Sequence, residues 1–217
     1  MNTQARADYG ASKHTERKIM YINANALRAA AHCAASKDIR HYLNGVYVKF
    51  KTEERATVAG TDGHCLFVCL ADTQNVGDLL GTALIIPNDA LKKLDKRAQT
   101  VELTKIGENA FRLGDIVFTP VDGTFPDIGR VIPDASTIAS REIKPAIYNP
   151  DLLVRARKAL QAYYSTKSDS VFQFAQYGDD CGIMHSGENC AQVVVMPIRA
   201  HGVQGSEDVQ PFNRDYL

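Results

Sequence analysis

Apolar and polar residues alternate in blocks along this chain, and the blocks recur. Tyr21-Ile22-Asn23-Ala24-Asn25-Ala26-Leu27 returns as Ile85-Ile86-Pro87-Asn88-Asp89-Ala90-Leu91 and again as Ile147-Tyr148-Asn149-Pro150-Asp151-Leu152-Leu153, so that Leu27, Leu91 and Leu153 lie 64 and 62 residues apart. Each copy reads as a short apolar strand, an Asn/Pro/Asp cap and then a helix. The helices are expected over about 24–36, 88–98 and from Pro150 onward. Apolar stripes at helical spacing run through Ala90, Leu91, Leu94 and Ala98, and through Leu152, Leu153, Ala156, Ala159 and Leu160.

Each helix is followed by three strand-like stretches. After the first come Val46, Val48 and Phe50 in alternation, then Arg55 to Gly60, then Cys65 to Leu70. After the second come Val101 to Ile106, Ala110 to Leu113 and Ile116 to Val121. After the third come Val171 to Gln176, Gly182 to His185 and Cys190 to Ile198. Turn signals such as Asn44-Gly45, Asp62-Gly63 and Gly107-Glu108-Asn109 separate them. The chain therefore reads as three βαβββ units. A single unit leaves a helix face and a sheet face uncovered, so units are expected to pack in pairs.

Composition changes this picture little. Hydrophobic content of 45% and charged content of 23% fit a globular chain with a core. Lys+Arg and Asp+Glu are both 25, so no whole-chain field draws nucleic acid, and any basic surface must be local. The five cysteines, Cys33, Cys65, Cys69, Cys181 and Cys190, are an odd number among apolar neighbours; they read as reduced, mostly buried thiols of a cytoplasmic protein. No apolar run reaches the ~18 residues of a membrane span. No signal-peptide pattern opens the chain.

Candidate chemistry is sparse. Asp62 and His64 share the Thr61–His64 turn, an acid beside a histidine, but Ser36, Ser165 and Ser168 lie outside any Gly-x-Ser-x-Gly elbow, and no oxyanion hole is evident. Cys65 and Cys69 face one side of a predicted strand, with no second ligand pair to complete a zinc site. Basic residues gather on the helices instead: Arg28 on the first; Lys92, Lys93, Lys96 and Arg97 on the second; Arg155, Arg157 and Lys158 on the third. Exposed helix faces are ordinarily charged, so this pattern alone assigns no partner.

Four stretches, in order, resemble one family. They are Asp38-Ile39-Arg40-His41-Tyr42-Leu43-Asn44-Gly45-Val46 with Ala59-Gly60-Thr61-Asp62-Gly63-His64-Cys65-Leu66; Gly114 to Thr119; Val121 to Asp127 with Arg130-Val131-Ile132-Pro133; and Val193 to Arg199. They resemble the bacterial β sliding clamp, the processivity subunit of the replicative DNA polymerase, over roughly Met20 to Ala200. The resemblance implies an α+β DNA clamp fold built from half-domain units, with helices on one face and antiparallel sheets on the other. It divides the chain into an arm at 1–18, a complete clamp-like domain at 19–133, a linker at 134–143, half a domain at 144–200 and a tail at 201–217. The family's first domain and the first half of its last are missing. The half-domain is then expected to complete itself against a second copy, giving a homo-oligomer.

By that resemblance the three helices line a wall facing duplex DNA, where Arg28, Lys92, Lys93, Lys96, Arg97, Arg155, Arg157 and Lys158 would hold phosphates without reading sequence. The resemblance also implies a pocket for short peptides of polymerases, clamp loader or repair proteins. Residue by residue it would involve Leu43, Thr61, Gly63, His64, Leu66, Pro126, Arg130, Val131, Val194, Val195, Met196, Pro197 and Arg199. The family carries a basic residue where Cys65 stands. The final Gln210-Pro211-Phe212 and Tyr216-Leu217 loosely resemble such a docking peptide. The expected function is thus a non-enzymatic processivity factor with no metal or other cofactor and no membrane partner. A clamp-derived interaction module that does not encircle DNA is the alternative. An enzyme built on Asp62 and His64 is a third reading, which requires both in one cleft.

Overall fold

The computed structural model describes residues 19–133, 146–166, 170–177, 181–186 and 190–198. The expected arm, linker and tail, together with Arg199 and Ser168, lie outside the described residues.

The first unit begins with β1 (Met20–Asn23) and α1 (Ala24–Cys33). Asn23 starts the helix by accepting the Asn25 and Ala26 amides on its side chain at 2.9 and 3.1 Å, which satisfies two of the orphan donors of the first turn. The helix stops at Cys33, short of the expected Ser36, where Ala34 takes an extended backbone. Apart from Leu27, its buried face is made of small residues, Ala24, Ala26, Ala29, Ala30 and Cys33. Small side chains let it lie close on β3 (Arg55–Thr61): a Cβ at Gly60 would overlap the carbonyl oxygen of Ala30. Around β3 stand β2 (Gly45–Phe50) and β4 (Cys65–Gln74), paired antiparallel in the order β2-β3-β4. Val46, Val48 and Phe50 are fully buried, as the two-residue period requires.

The second unit holds β5 (Ala83–Pro87), α2 (Asn88–Leu91), β6 (Thr100–Lys105), β7 (Phe111–Leu113) and β8 (Ile116–Phe118). Here the expected helix over 88–98 is corrected: regular helix covers only four residues. Beyond it, the amides of Lys93 and Leu94 reach back three residues, to Ala90 and Leu91. Asp95 then closes a turn on the Arg97 amide with its own carboxylate at 2.9 Å. The apolar half of the pattern survives: Ala90, Leu91 and Leu94 are buried.

The two units exchange strands. β1 of the first pairs antiparallel with β6 of the second, Ile22 opposite Val101, while β5 of the second pairs with β2 of the first, Val46 opposite Ile86. Reciprocal exchange of this kind relates the units by an approximate two-fold axis. α1 and α2 lie on the same side, over the core formed by Ile22, Leu27, Phe50, Phe67, Ile86, Leu103 and their neighbours.

The third unit carries α3 (Pro150–Tyr164), β9 (Gln173–Tyr177), β10 (Cys181–His185) and β11 (Ala191–Val195). Asn149 caps α3 by accepting the Asp151 amide at 2.9 Å, with proline in the first turn. Ser165 ends it in a left-handed conformation at φ 53°. α3 lies along α1 and buries Leu152, Ala156, Ala159 and Leu160. Full burial of a leucine such as Leu160 is worth about 1.5–3 kcal/mol. β11 pairs antiparallel with the first half of β4, Val194 opposite Leu66, so the sheet of the first unit continues through β11 and β10 to β9. The result is an α+β architecture of helices over antiparallel sheet.

Candidate functional site

The junction of β4 with β11 creates a cleft, and the tight turn from Thr61 to Cys65 forms one lip of it. Gly63 takes φ 94°, a conformation that side chains disfavour. Thr61 accepts the Gly63 amide on its hydroxyl at 3.0 Å, and one Asp62 carboxylate oxygen accepts the amides of His64 and Cys65, both at 2.9 Å. The other Asp62 oxygen receives the guanidinium of Arg155 from α3. Arg40, itself paired with Asp38 at 2.8 Å, donates to the Asp62 carbonyl at 3.1 Å. Burial alone would raise the Asp62 carboxyl; the two amides and Arg155 outweigh it and hold the carboxyl below its ordinary value. Arg40 donates to Asp38 and holds that carboxyl down at about 2.

The other lip is the segment from Phe125 to Val131. Phe125 stacks on Tyr47 with ring centroids 4.8 Å apart, and Asp127 accepts the Gly129 amide at 3.0 Å, opening a short 3-10 turn. β11 closes the cleft from below, and the Met196 amide donates to the His64 carbonyl at 2.9 Å.

The cavity between the lips holds about 150 Å³. Leu43, Leu66 and Val194 form its buried floor. Met196 and Val131, each 36% exposed, stand at the rim. Thr61, Gly63, His64 and Pro126 complete the expected part of the wall. Val195 does not belong to it, contrary to expectation. It is fully buried with Val193 in the core on the opposite face of β11, because successive strand residues point to opposite sides. Arg130 is also outside the wall, well exposed and 3.5 Å from Asp127. Pro197 is not part of the lining either. Tyr42, Cys65, Phe125 and Ile128 join the lining without having been expected, with Arg40 and Asp127 beside them. The apolar pair Phe125-Pro126 was the one available sign that the lip would be greasy.

Among the described residues the cleft brings together no catalytic arrangement. His64 lines it but Asp62 does not, and the Asp62 carboxylate is spent on two amides and Arg155. Among the described residues no three His, Cys, Asp or Glu side chains gather as a metal would need. Cys65 and Cys69 are both buried in the core, and the Cys65 sulfur lies 3.3 Å from that of Cys33. The hydrogen bond to Cys65, together with burial, raises the Cys33 thiol well above its ordinary value, so it stays protonated.

The basic residues of the helices fall into two groups. Arg28 is turned into the structure: it donates to the carbonyls of Asp95 and Ala98 and to Asn25, capping the turn that replaces the end of the second helix. Burial lowers its pKa, partly offset by Asp95. Arg155 is engaged with Asp62. Lys92 pairs at 3.0 Å with Asp89 on the surface. Lys93, Lys96, Arg97, Arg157 and Lys158 are exposed on the helix side of the molecule. No helix among the described residues is long and apolar enough to cross a membrane.

Residues 22–127 match the family described as DNA polymerase III beta subunit, central domain. Over 131 residues, 56% of its length, the chain is 37% identical to the beta sliding clamp of Proteus mirabilis, and the match covers 33% of that protein. The beta sliding clamp of Haemophilus influenzae is 33% identical over 143 residues, 62% of this chain and 36% of its own. The chain thus spans about a third of the length of these curated relatives. In architecture it is similar to the crystal structure of the DNA polymerase III subunit beta from Pseudomonas aeruginosa, with a TM-score of 0.61 at 17% identity over 89% of this chain and 70% of that one.

Proposed function

We propose that this chain, whose residues 22–127 match the beta subunit's central domain, belongs to the bacterial β sliding clamp family and is a cytoplasmic, clamp-like processivity factor. It docks short peptides of polymerase, clamp-loader or repair proteins in the cleft between the Thr61–Cys65 turn and the Phe125–Val131 segment, and it holds duplex DNA along its helix side without reading sequence. It carries out no reaction. In this reading residues 19–133 form the complete domain and 144–200 the half-domain, with the arm, linker and tail around them.

The observation that carries the reading is the cleft itself. It combines an apolar floor of Leu43, Leu66 and Val194, rim residues Met196 and Val131 exposed to solvent, and polar groups confined to the edge. A core would bury Met196; a docking site needs it open. A leucine or phenylalanine anchored there, with backbone donors and acceptors at the edge, suits the size and chemistry of the cavity. The deciding experiment is titration of the full chain with a synthetic Gln-Leu-x-Leu-Phe peptide, followed by fluorescence anisotropy. Binding at micromolar strength, about −8 kcal/mol, is expected. No binding at millimolar peptide would reject the docking role.

One observation favours the second reading, an interaction module that docks peptides without encircling DNA. Arg28 and Arg155, two of the cations expected on the DNA side, are committed to intramolecular partners. A duplex-binding measurement at low salt separates the two readings.

A further inference from the structure

The sheet face that floors the cleft continues into a second groove. Leu66, Val68 and Leu70 alternate along β4 and so point to one side; Val194 and Gln192 of β11, with Cys190 just before it, do the same. Leu66 is opposite Val194, Val68 is opposite Gln192, and the Leu70 amide donates to the Cys190 carbonyl at 3.1 Å. Leu66 and Val194 belong to the cleft. Farther along the same face, Val68, Leu70, Gln192 and Cys190 line a cavity of about 570 Å³. Residues 125–128 stand between the two and line both. Of the groove's lining, only Pro126 belongs to the pocket that the family resemblance implies.

The groove has an apolar floor and a basic rim. Tyr47, Lys49 and Lys51 follow one another at the strand period along β2 and just past its end, and all three line it. Lys49 is opposite Thr57 and Thr57 is opposite Leu70, so the lysine stands two strands from an exposed leucine. Lys49 and Lys51 are exposed and make no ion pair among the described residues. Asp127, the carboxylate among the described residues of the lining, accepts the Gly129 amide and lies 3.5 Å from Arg130. One row farther along the sheet, Arg55 and Asp72 neutralise each other at 2.8 Å. The unbalanced charge of the groove is therefore positive.

We propose that this groove takes an acidic stretch flanking the apolar anchor of the docking peptide, with its carboxylates set against Lys49 and Lys51. The proposal rests on the reading of the cleft as a peptide-docking site and adds which peptides the chain prefers. The distances suit it. From Leu66 to Leu70 is four residues of one strand, about 13 Å. An extended peptide anchored over Leu66 covers that span in about four residues, crossing the lip at Pro126. An exposed lysine gains little from a free carboxylate. An anchor already held in the cleft raises the local concentration of the acidic stretch, so modest charge pairs become selective. Nucleic acid fits less well: the groove lies on the sheet face away from the exposed helix cations, and the side chains of Val68, Leu70 and Ile132 give phosphates no donor.

The test uses the full chain and three fluorescent peptides at low salt. One carries Gln-Leu-x-Leu-Phe between neutral glycine and serine flanks. The other two carry the same core with Glu-Glu-Glu set four residues before it or four residues after it. Fluorescence anisotropy gives the affinities. One acidic peptide is expected to bind about three- to tenfold more tightly than the neutral one, with the gain fading as salt rises. The double variant Lys49→Ser, Lys51→Ser should lose the gain and keep its affinity for the neutral peptide. Lys49→Glu with Lys51→Glu should make the acidic peptide bind more weakly than the neutral one. A benzophenone in the acidic stretch should crosslink within 47–51, 68–70 or 190–192, as mapped by mass spectrometry. Equal affinity of all three peptides would overturn the proposal and leave the docking reading standing. So would a gain that survives in the double variant, or crosslinks confined to other residues. If no peptide binds at millimolar concentration, the docking reading and the proposal fall together.

Discussion

Arg155 and Asp62, 93 residues apart in the chain, form an ion pair that joins α3 to the turn at the mouth of the cleft. Asp62 holds the amides of His64 and Cys65 with its other oxygen, so the turn and the helix share one carboxylate. The third unit therefore fixes the shape of a lip that belongs to the first.

Replacing Arg155 with Met leaves Asp62 only its two amide donors. With the guanidinium about a third exposed, the expected loss is about 1–3 kcal/mol of stability. That corresponds to a lowering of Tm by about 2–4 °C for each kcal/mol in a chain of this size. Calorimetry measures it; an unchanged Tm would show that the pair adds nothing net.

The same carboxylate sets an acid limit. The Asp62 pKa is lowered in the folded protein, so its contribution is complete above the ordinary carboxyl value of about 3.9 and is lost as pH falls through the lower folded value. The stability difference between wild type and Asp62→Asn should thus be constant from pH 7 to about 5 and shrink below about 4. Urea midpoints across that range check the sign; a difference that grows on acidification would contradict it.

Gly60→Ala should be among the most destabilising single changes in the chain. The added Cβ meets the Ala30 carbonyl oxygen, which is backbone and cannot swing away. Forcing α1 off β3 should cost about 2–4 kcal/mol. Chemical denaturation gives the value, and a cost below 1 kcal/mol would mean that the helix shifts freely.

At the rim of the cleft, Met196→Ala should weaken binding of a Gln-Leu-x-Leu-Phe peptide by about 1–2 kcal/mol while leaving Tm nearly unchanged. Calorimetric titration separates the two effects. Equal affinity in the variant would place the anchor elsewhere.

For duplex DNA, the cations to remove are those exposed on the helix side. Changing Lys93, Lys96, Arg97 and Lys158 to Ala should weaken binding alike for all sequences. It should also flatten the slope of log affinity against log salt by about 0.9 for each phosphate that is no longer neutralised. Arg28→Ala should instead lower stability, because its guanidinium caps the Asp95 and Ala98 carbonyls. Unchanged DNA affinity and slope in the quadruple variant would take these residues out of the DNA account.

The sequence by itself determined the repeat, because strand period, caps and helix stripes are local: Asn23 and Asn149 start their helices, and Val46, Val48 and Phe50 turn inward, as the pattern predicts. The resemblance carried by Asp38–Leu66 and Val193–Arg199 led to the cleft, since its floor and much of its rim come from those stretches. Other features were decided only by tertiary structure. The second helix has the residues for three turns but stops after Leu91, because Asp95 closes a turn of its own and Arg28, from another unit, caps the exposed carbonyls. Val195 carries the same apolar chemistry as Val194, and only its position on β11 sends it to the opposite face. Arg155 reads as a cation on a basic helix, and its commitment to Asp62 emerges only when α3 lies along α1. Local pattern determines what each segment becomes; which charges remain free, and which apolar positions stay exposed, depends on how residues far apart in the chain are brought together.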